Sequence, residues 1–128
     1  MNFTGKILLV DDESHIRKYV GLILKSIGAP TILEASNGQD AIGVYQRENP
    51  DLVLLDVNMP QMDGIETLKK LKEIDPDCLV IMLTSLANRQ TIEQAAEIGA
   101  INYIRKDTPK EEIAQALRET IDATFQSE

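Results

Sequence analysis

The 128-residue chain is 43% hydrophobic and 27% charged, enough apolar matter for one packed domain. With 21 acidic against 13 basic side chains, its formal net charge of −8 repels nucleic acid and anionic membrane and excludes both as expected direct partners. The single cysteine, Cys78, rules out an intrachain disulfide and a cysteine-built zinc site. Apolar runs such as ILLV, LVLL and LVIMLT fall far short of the roughly 20 residues that cross a bilayer, and MNFTGK lacks the apolar stretch of a secretion signal, so a cytosolic protein is expected.

In chain order, strands and helices alternate. Lys6–Val10 reads as a strand, and Ser14–Ile27 as a helix with Ile16, Val20, Ile23 and Ile27 on one stripe, closed by a left-handed Gly28. Thr31–Ala35 is the second strand, and Gly38–Glu48 a helix that buries Ala41, Val44 and Tyr45. Leu52–Asp56 is the third strand, followed by a helix over Asp63–Ile74 with Asp63 and Glu66 at capping-box spacing. Leu79–Thr84, a helix Arg89–Ile98 stopped by Gly99, and the strand Asn102–Arg105 come next. The last helix opens at Thr108-Pro109-Lys110-Glu111, read as an N-cap, a proline at the first helical position and a capping glutamate. These pairs fill residues 1–128 as a single domain with a core of about 6–124, without linker or low-complexity run.

ILLV, LVLL and LVIML are apolar at every position, as parallel strands covered on both faces must be. TILEA and NYIR carry polar residues and suit the two edges. With right-handed crossovers this predicts an α/β, doubly wound, flavodoxin-like fold: a five-stranded parallel sheet of order 2-1-3-4-5 with helices on both faces. Ligands in such sheets bind beyond the carboxyl ends of the strands, at the switch between strands one and three.

The residues at that switch are acids. Asp11 and Asp12 follow strand one and Asp56 ends strand three. Alone, each is as well explained by a helix cap or the start of a turn. Together, carboxylates ~5 Å apart repel by roughly 3 kcal/mol per pair at an effective dielectric near 20, which calls for a cation. Oxygen-only ligands favour Mg²⁺, or Mn²⁺, over zinc. Thr84 and Lys106 close strands four and five at the same rim, and a metal, a lysine and a hydroxyl around one carboxylate are equipment for phosphoryl transfer, with the carboxylate as nucleophile.

ILLVDDE, LVLLDVNMPQMDG, MLTS and GAINYIRK, in this order and spacing, resemble the receiver domains of bacterial two-component response regulators over about Lys6 to Thr124. The resemblance implies that Asp56 is the phosphoacceptor, Asp12 a direct Mg²⁺ ligand, Asp11 a ligand through water, and Asn58 a ligand through its backbone carbonyl. It implies that Lys106 contacts the phosphoryl group or Asp56, and that Thr84 and Tyr103 form a switch pair, changing the surface of helix four, strand five and helix five. It also implies a phosphohistidine donor, on a sensor kinase or a histidine phosphotransfer protein, and a downstream protein target or attached output domain. The chain would catalyse only its own phosphorylation and dephosphorylation. Two departures stand out. Asp107 occupies the place where receivers often carry a proline after a cis bond, which predicts a different loop and a weakened positive field at Lys106. Leu86 borders the phosphate entrance, where it and Asn58 are expected to set phosphate lifetime by controlling water.

Other residues read more plainly. His15 falls on the solvent side of the first helix, Met59 and Met62 pack the loop, Cys78 is buried and inert, and Lys69, Lys70 and Lys72 form a solvated face. A haloacid-dehalogenase-type phosphatase would place a second acid where Asn58 stands and would need a cap domain. A pseudo-receiver, a binding module that keeps the fold without phosphorylation, is the alternative reading, and the intact Asp11, Asp12, Asp56, Thr84 and Lys106 argue against it. A flavodoxin-like electron carrier would not have an acidic loop after strand one.

Overall fold

The computed structural model describes residues 3–85 and 88–125. The elements are β1 (Lys6–Val10), α1 (Ser14–Ile27), β2 (Thr31–Ala35), α2 (Gly38–Glu48), β3 (Leu52–Leu55), α3 (Gly64–Ile74), β4 (Val80–Thr84), α4 (Arg89–Ile98), β5 (Asn102–Arg105) and α5 (Lys110–Thr124). All strand pairs are parallel, in the order β2-β1-β3-β4-β5. The doubly wound fold expected from the all-apolar strands is therefore the one observed.

Alternation along each strand divides the core into two layers. Leu8, Val10, Val53, Leu55 and Met82 pack with Tyr45, Leu68 and Leu71 under α2 and α3, joined by Ala95 of α4. Ile7, Leu9, Leu54, Ile81 and Ile104 pack with Ile23, Leu24 and Leu117 under α1 and α5. β1, β3 and β4 are buried almost throughout, whereas β2 and β5 expose part of their length as sheet edges do. At the amino ends of the strands, Phe3 bridges to Gly28 and its ring lies 5.0 Å from that of Phe125.

Several local expectations need correction. β3 ends at Leu55 and β4 begins at Val80, one residue inside each predicted limit, and Asp63 is the cap of α3 rather than its first residue. Gly28 is not left-handed. Its φ of −179° is extended, and it is small because a Cβ there would come within 2.8 Å of the Phe3 carbonyl oxygen. Gly99, by contrast, does stop α4 at a φ of +122°. Pro109, not Thr108, is the cap of α5, and its carbonyl accepts the amides of Glu112 and Ile113. Lys72 is not simply solvated, since its ammonium donates to the Cys78 carbonyl at 2.5 Å and its stem lies over Gly99.

The turn that leads out of β3 depends on Gly64. Its amide donates to the Val57 carbonyl at 2.8 Å, and a Cβ there would collide with the Asp56 carbonyl oxygen and lie 2.7 Å from the Val57 Cα. Because the obstacle is backbone, no side chain can swing aside. Gly64→Ala should therefore lose about 2–3 kcal/mol through overpacking. At Gly43, inside α2, an added methyl meets nothing within 4 Å, and Gly43→Ala should gain about 0.5–1 kcal/mol. Urea midpoints at unchanged slope report both effects.

Candidate functional site

The carboxyl edge of the sheet collects the polar residues one ladder step beyond the strand ends. The Asp11 amide donates to the Ala35 carbonyl at 3.1 Å, the Asp56 amide to Val10 at 3.0 Å and the Lys106 amide to Thr84 at 3.0 Å, each extending a strand pairing by one bond. Thr84 is the last residue of β4 and is fully buried. The backbone that carries these groups is thus held by the same hydrogen bonds that hold the sheet.

Asp11, Asp12 and Asp56 each present a carboxylate oxygen, and the three oxygens lie within 4.8 Å of one another. Asp11 and Asp56 are only 5% and 3% exposed, whereas Asp12 is open to solvent. Lys106 reaches in from the end of β5, with Nζ 2.5 Å from Asp11 Oδ2 and 3.1 Å from Asp56 Oδ2. Burial pulls the Lys106 ammonium down, but the hydrogen bond to Asp11 and the charges of Asp56 and Asp11 outweigh it and hold it above the ordinary lysine value. Three carboxylates against one ammonium leave two negative charges uncompensated. At 4.8 Å each like pair repels by about 3.5 kcal/mol at an effective dielectric of 20. An all-oxygen donor set with excess negative charge fits a hard divalent cation of the Mg²⁺ or Mn²⁺ type.

The loop after Asp56 alternates inward and outward. Val57 and Met59 are buried in the core layer under α3, which leaves Asn58 exposed at the rim, its amide 3.4 Å from Asp56 Oδ1. The Met62 amide then closes a tight turn on the Pro60 carbonyl at 2.8 Å, with Gln61 at a φ of 70°. The capping box follows as expected: Asp63 accepts from the Glu66 amide at 2.9 Å, and Glu66 accepts from the Asp63 amide at 3.4 Å.

Tyr103 is half-buried on β5, next to a groove of about 220 Å³ between α4 and β5 lined by Ile92, Ala95 and Ala96 among others. Burial, and behind it the Asp56 carboxylate, push its phenol up. Asp107 is held by Arg105 through two bonds of 3.0 and 2.7 Å, so its charge is matched locally. No cis peptide occurs among the described residues, so Lys106–Asp107 is trans and the loop does differ from one built on a cis proline. His15 is exposed and Cys78 buried, with burial first among the causes that push its thiol up. Leu86 lies outside the described residues.

A profile of the response regulator receiver domain matches residues 7–118. The chain belongs to this family. It is 34% identical over 116 residues to the chemotaxis protein CheY of Bacillus subtilis, covering 91% of this chain and 97% of that protein. It is 39% identical over 113 residues to sporulation initiation phosphotransferase F of the same organism, covering 88% and 90%. Among solved structures it superposes on the CheX–CheY–BeF₃–Mg²⁺ complex from Borrelia burgdorferi with a TM-score of 0.84 at 31% identity, covering 95% and 90% of the two chains. Receiver domains are signalling modules of two-component systems that bind Mg²⁺ at an aspartate cluster, and Asp11, Asp12 and Asp56 form such a cluster here. Among the described residues, no helix is long and apolar enough to cross a membrane.

Two features of this receiver had no mark in the sequence. Arg17 of α1 donates from Nη1 to the Asp11 carbonyl at 2.5 Å and from Nε to Glu34 of β2 at 2.6 Å. Gln61 adopts positive φ where glycine or asparagine would have been the signal. Gly64, by contrast, stood in the MDG motif as a small residue at a helix start, a visible clue to a close approach.

Lys106 is the cation that touches both buried carboxylates. In chelator, Lys106→Met should lose about 2 kcal/mol, less than the full penalty for orphaning a buried charge because Asp12 and the rim remain wet. Added Mg²⁺ should stabilise this variant more than the wild type. Parallel urea titrations with and without Mg²⁺ measure both.

Proposed function

We propose that the chain is a phosphorylation-dependent receiver with Asp56 as phosphoacceptor and a phosphohistidine of a sensor histidine kinase or a histidine phosphotransfer protein as donor. An Asp56 carboxylate oxygen forms a bond to phosphorus as the P–N bond to the donor histidine breaks, its electron pair returning to the imidazole. Water later attacks phosphorus, releasing inorganic phosphate and restoring the carboxylate. The observation that carries this reading is a nearly buried Asp56 flanked by two further carboxylates and by the Lys106 ammonium at 3.1 Å. Such a site is arranged for positioning and charge neutralisation, which is most of what phosphoryl transfer asks of a protein.

Asp12 and Asp56, the Asn58 carbonyl and, through water, Asp11 would hold the divalent cation, which when bound neutralises charge on the phosphoryl oxygens. Lys106 would move from sharing Asp11 and Asp56 to meeting a phosphoryl oxygen. The phosphate adds about −1.5 to −2 charges and new acceptors, which favours a conformation that brings the buried Thr84 hydroxyl to it. Tyr103, beside the α4–β5 groove, would follow and change the face formed by α4, β5 and α5 that a target protein or attached output domain reads. A change from ~1% to ~99% active requires roughly 5.5 kcal/mol of differential stabilisation. The beryllofluoride–Mg²⁺ complex of the Borrelia relative supports the same chemistry for this chain.

Incubation with a small phosphodonor and Mg²⁺ should add about 80 Da by intact mass, one phosphoryl group, and Asp56→Asn should abolish the adduct. A pseudo-receiver would show no adduct in either protein. Once phosphorylated, Asn58→Ala and Leu86→Ala should each alter the decay rate by up to about tenfold, or about 1.4 kcal/mol of barrier. Decay identical to wild type in both would remove these residues from control of the attacking water.

A further inference from the structure

Asp12 is the exposed member of the acidic cluster and follows Asp11 directly in the chain. Asp11 is tied at every polar atom: its amide to Ala35 at 3.1 Å, Oδ1 to the Glu13 amide at 2.9 Å, Oδ2 to Lys106 at 2.5 Å and its carbonyl to Arg17 Nη1 at 2.5 Å. That carbonyl shares a rigid peptide plane with the amide of Asp12. Whatever holds the carbonyl fixes the direction in which the chain enters Asp12.

We propose that Arg17, oriented by Glu34, is a positioning residue that locks the Asp11–Asp12 peptide and so sets the divalent-cation affinity of the cluster. The inference rests on the cation reading given above. Arg17 is the residue type that can do this. A guanidinium carries several donors in a fixed planar fork, so Nη1 serves the carbonyl while Nε takes the Glu34 carboxylate at 2.6 Å. Glu34 is anchored on β2, where it pairs in register with Leu9, two residues before Asp11. The bracket therefore spans helix, loop and edge strand. The Arg17 side chain is 15% exposed and Glu34 53%, so the shared bonds are partly shielded at the arginine end. Glu34 also balances the guanidinium charge, so Arg17 braces a neutral carbonyl and leaves the carboxylates to the cation.

The sign of the effect separates positioning from plain electrostatics. Removing a positive charge beside an acidic cluster should, by Coulomb's law alone, tighten Mg²⁺ binding. Loss of a bracing contact behind metal ligands instead weakens it, typically by 10-fold or more. Calorimetric Mg²⁺ titration of the unphosphorylated protein should find a Kd about 10-fold higher in Arg17→Met. Arg17→Lys, which can reach one partner but not both, should fall between. Glu34→Ala should also weaken binding, and the double variant Arg17→Met with Glu34→Ala should be no weaker than Arg17→Met, because both act through one contact. Wild-type binding with Arg17→Met equal or tighter overturns the inference alone. No binding by the wild type overturns the cation reading and the inference together. Should Arg17→Met fail to fold, Arg17→Lys decides: it keeps the charge, so Coulomb's law alone predicts no change, and an unchanged Kd there overturns the proposal.

Discussion

Lys106 stands between two carboxylates that the sheet buries almost completely, and a third carboxylate lies within 4.8 Å of both. The whole carboxyl edge is organised around that imbalance of charge. A parallel sheet ends all its strands on one side, so residues one step past β1, β3 and β5 are delivered to the same place by ladder hydrogen bonds rather than by side-chain contacts. Two apolar layers hold those strands still. Repulsion among the acids therefore cannot relax by moving backbone, and it is left to cations to offset it.

The two halves of the site are braced by different means. Asp56 is braced by packing: Val57 and Met59 sink into the core and Gly64 lets α3 press against the back of residues 56 and 57. The positive φ at Gln61 costs on the order of 1–3 kcal/mol, and it persists because the buried residues before it and the Asp63–Glu66 capping box after it leave the loop no other path. Asp11 is braced by polar contacts, to the edge strand, to the start of α1 and to Arg17. A packed half and a hydrogen-bonded half respond differently to change. Volume matters behind Asp56, and donor geometry matters behind Asp11.

What could be read from the sequence follows the range of each interaction. The all-apolar runs of β1, β3 and β4 and the mixed ones of β2 and β5 report burial directly, so strand order was legible. The Asp63–Glu66 box is local, and it formed. Asp11, Asp12, Asp56, Thr84 and Lys106 all fall at strand ends, so the topology alone brings them together once it is known. Misreadings arose where a distant partner decided the matter. Gly28 is small because Phe3 crosses it, and Lys72 is held by the Cys78 carbonyl and lies against Gly99; Arg17, which the sequence left unread, meets Glu34 across 17 positions. None of these leaves a periodic or neighbouring trace. At Thr108-Pro109 the local rule itself misled by one residue, because the proline holds the cap position without a side-chain cap bond and its carbonyl accepts the Glu112 and Ile113 amides.

The loop after β5 shows how far a departure from the family pattern reaches. Asp107 replaces a proline and adds an anion next to Lys106, yet it bonds backwards to Arg105 in a pair whose side chains are 64% and 58% exposed. Such a surface pair contributes roughly 0–1 kcal/mol to stability, so it does not hold the loop by strength. Its effect is to keep a negative charge matched outside the crevice. The Lys106 backbone is fixed by its amide bond to Thr84, and the turn is closed by the Thr108 amide on Arg105 at 3.2 Å. The backbone that carries the ammonium is thus placed by the sheet rather than by the side chain of residue 107.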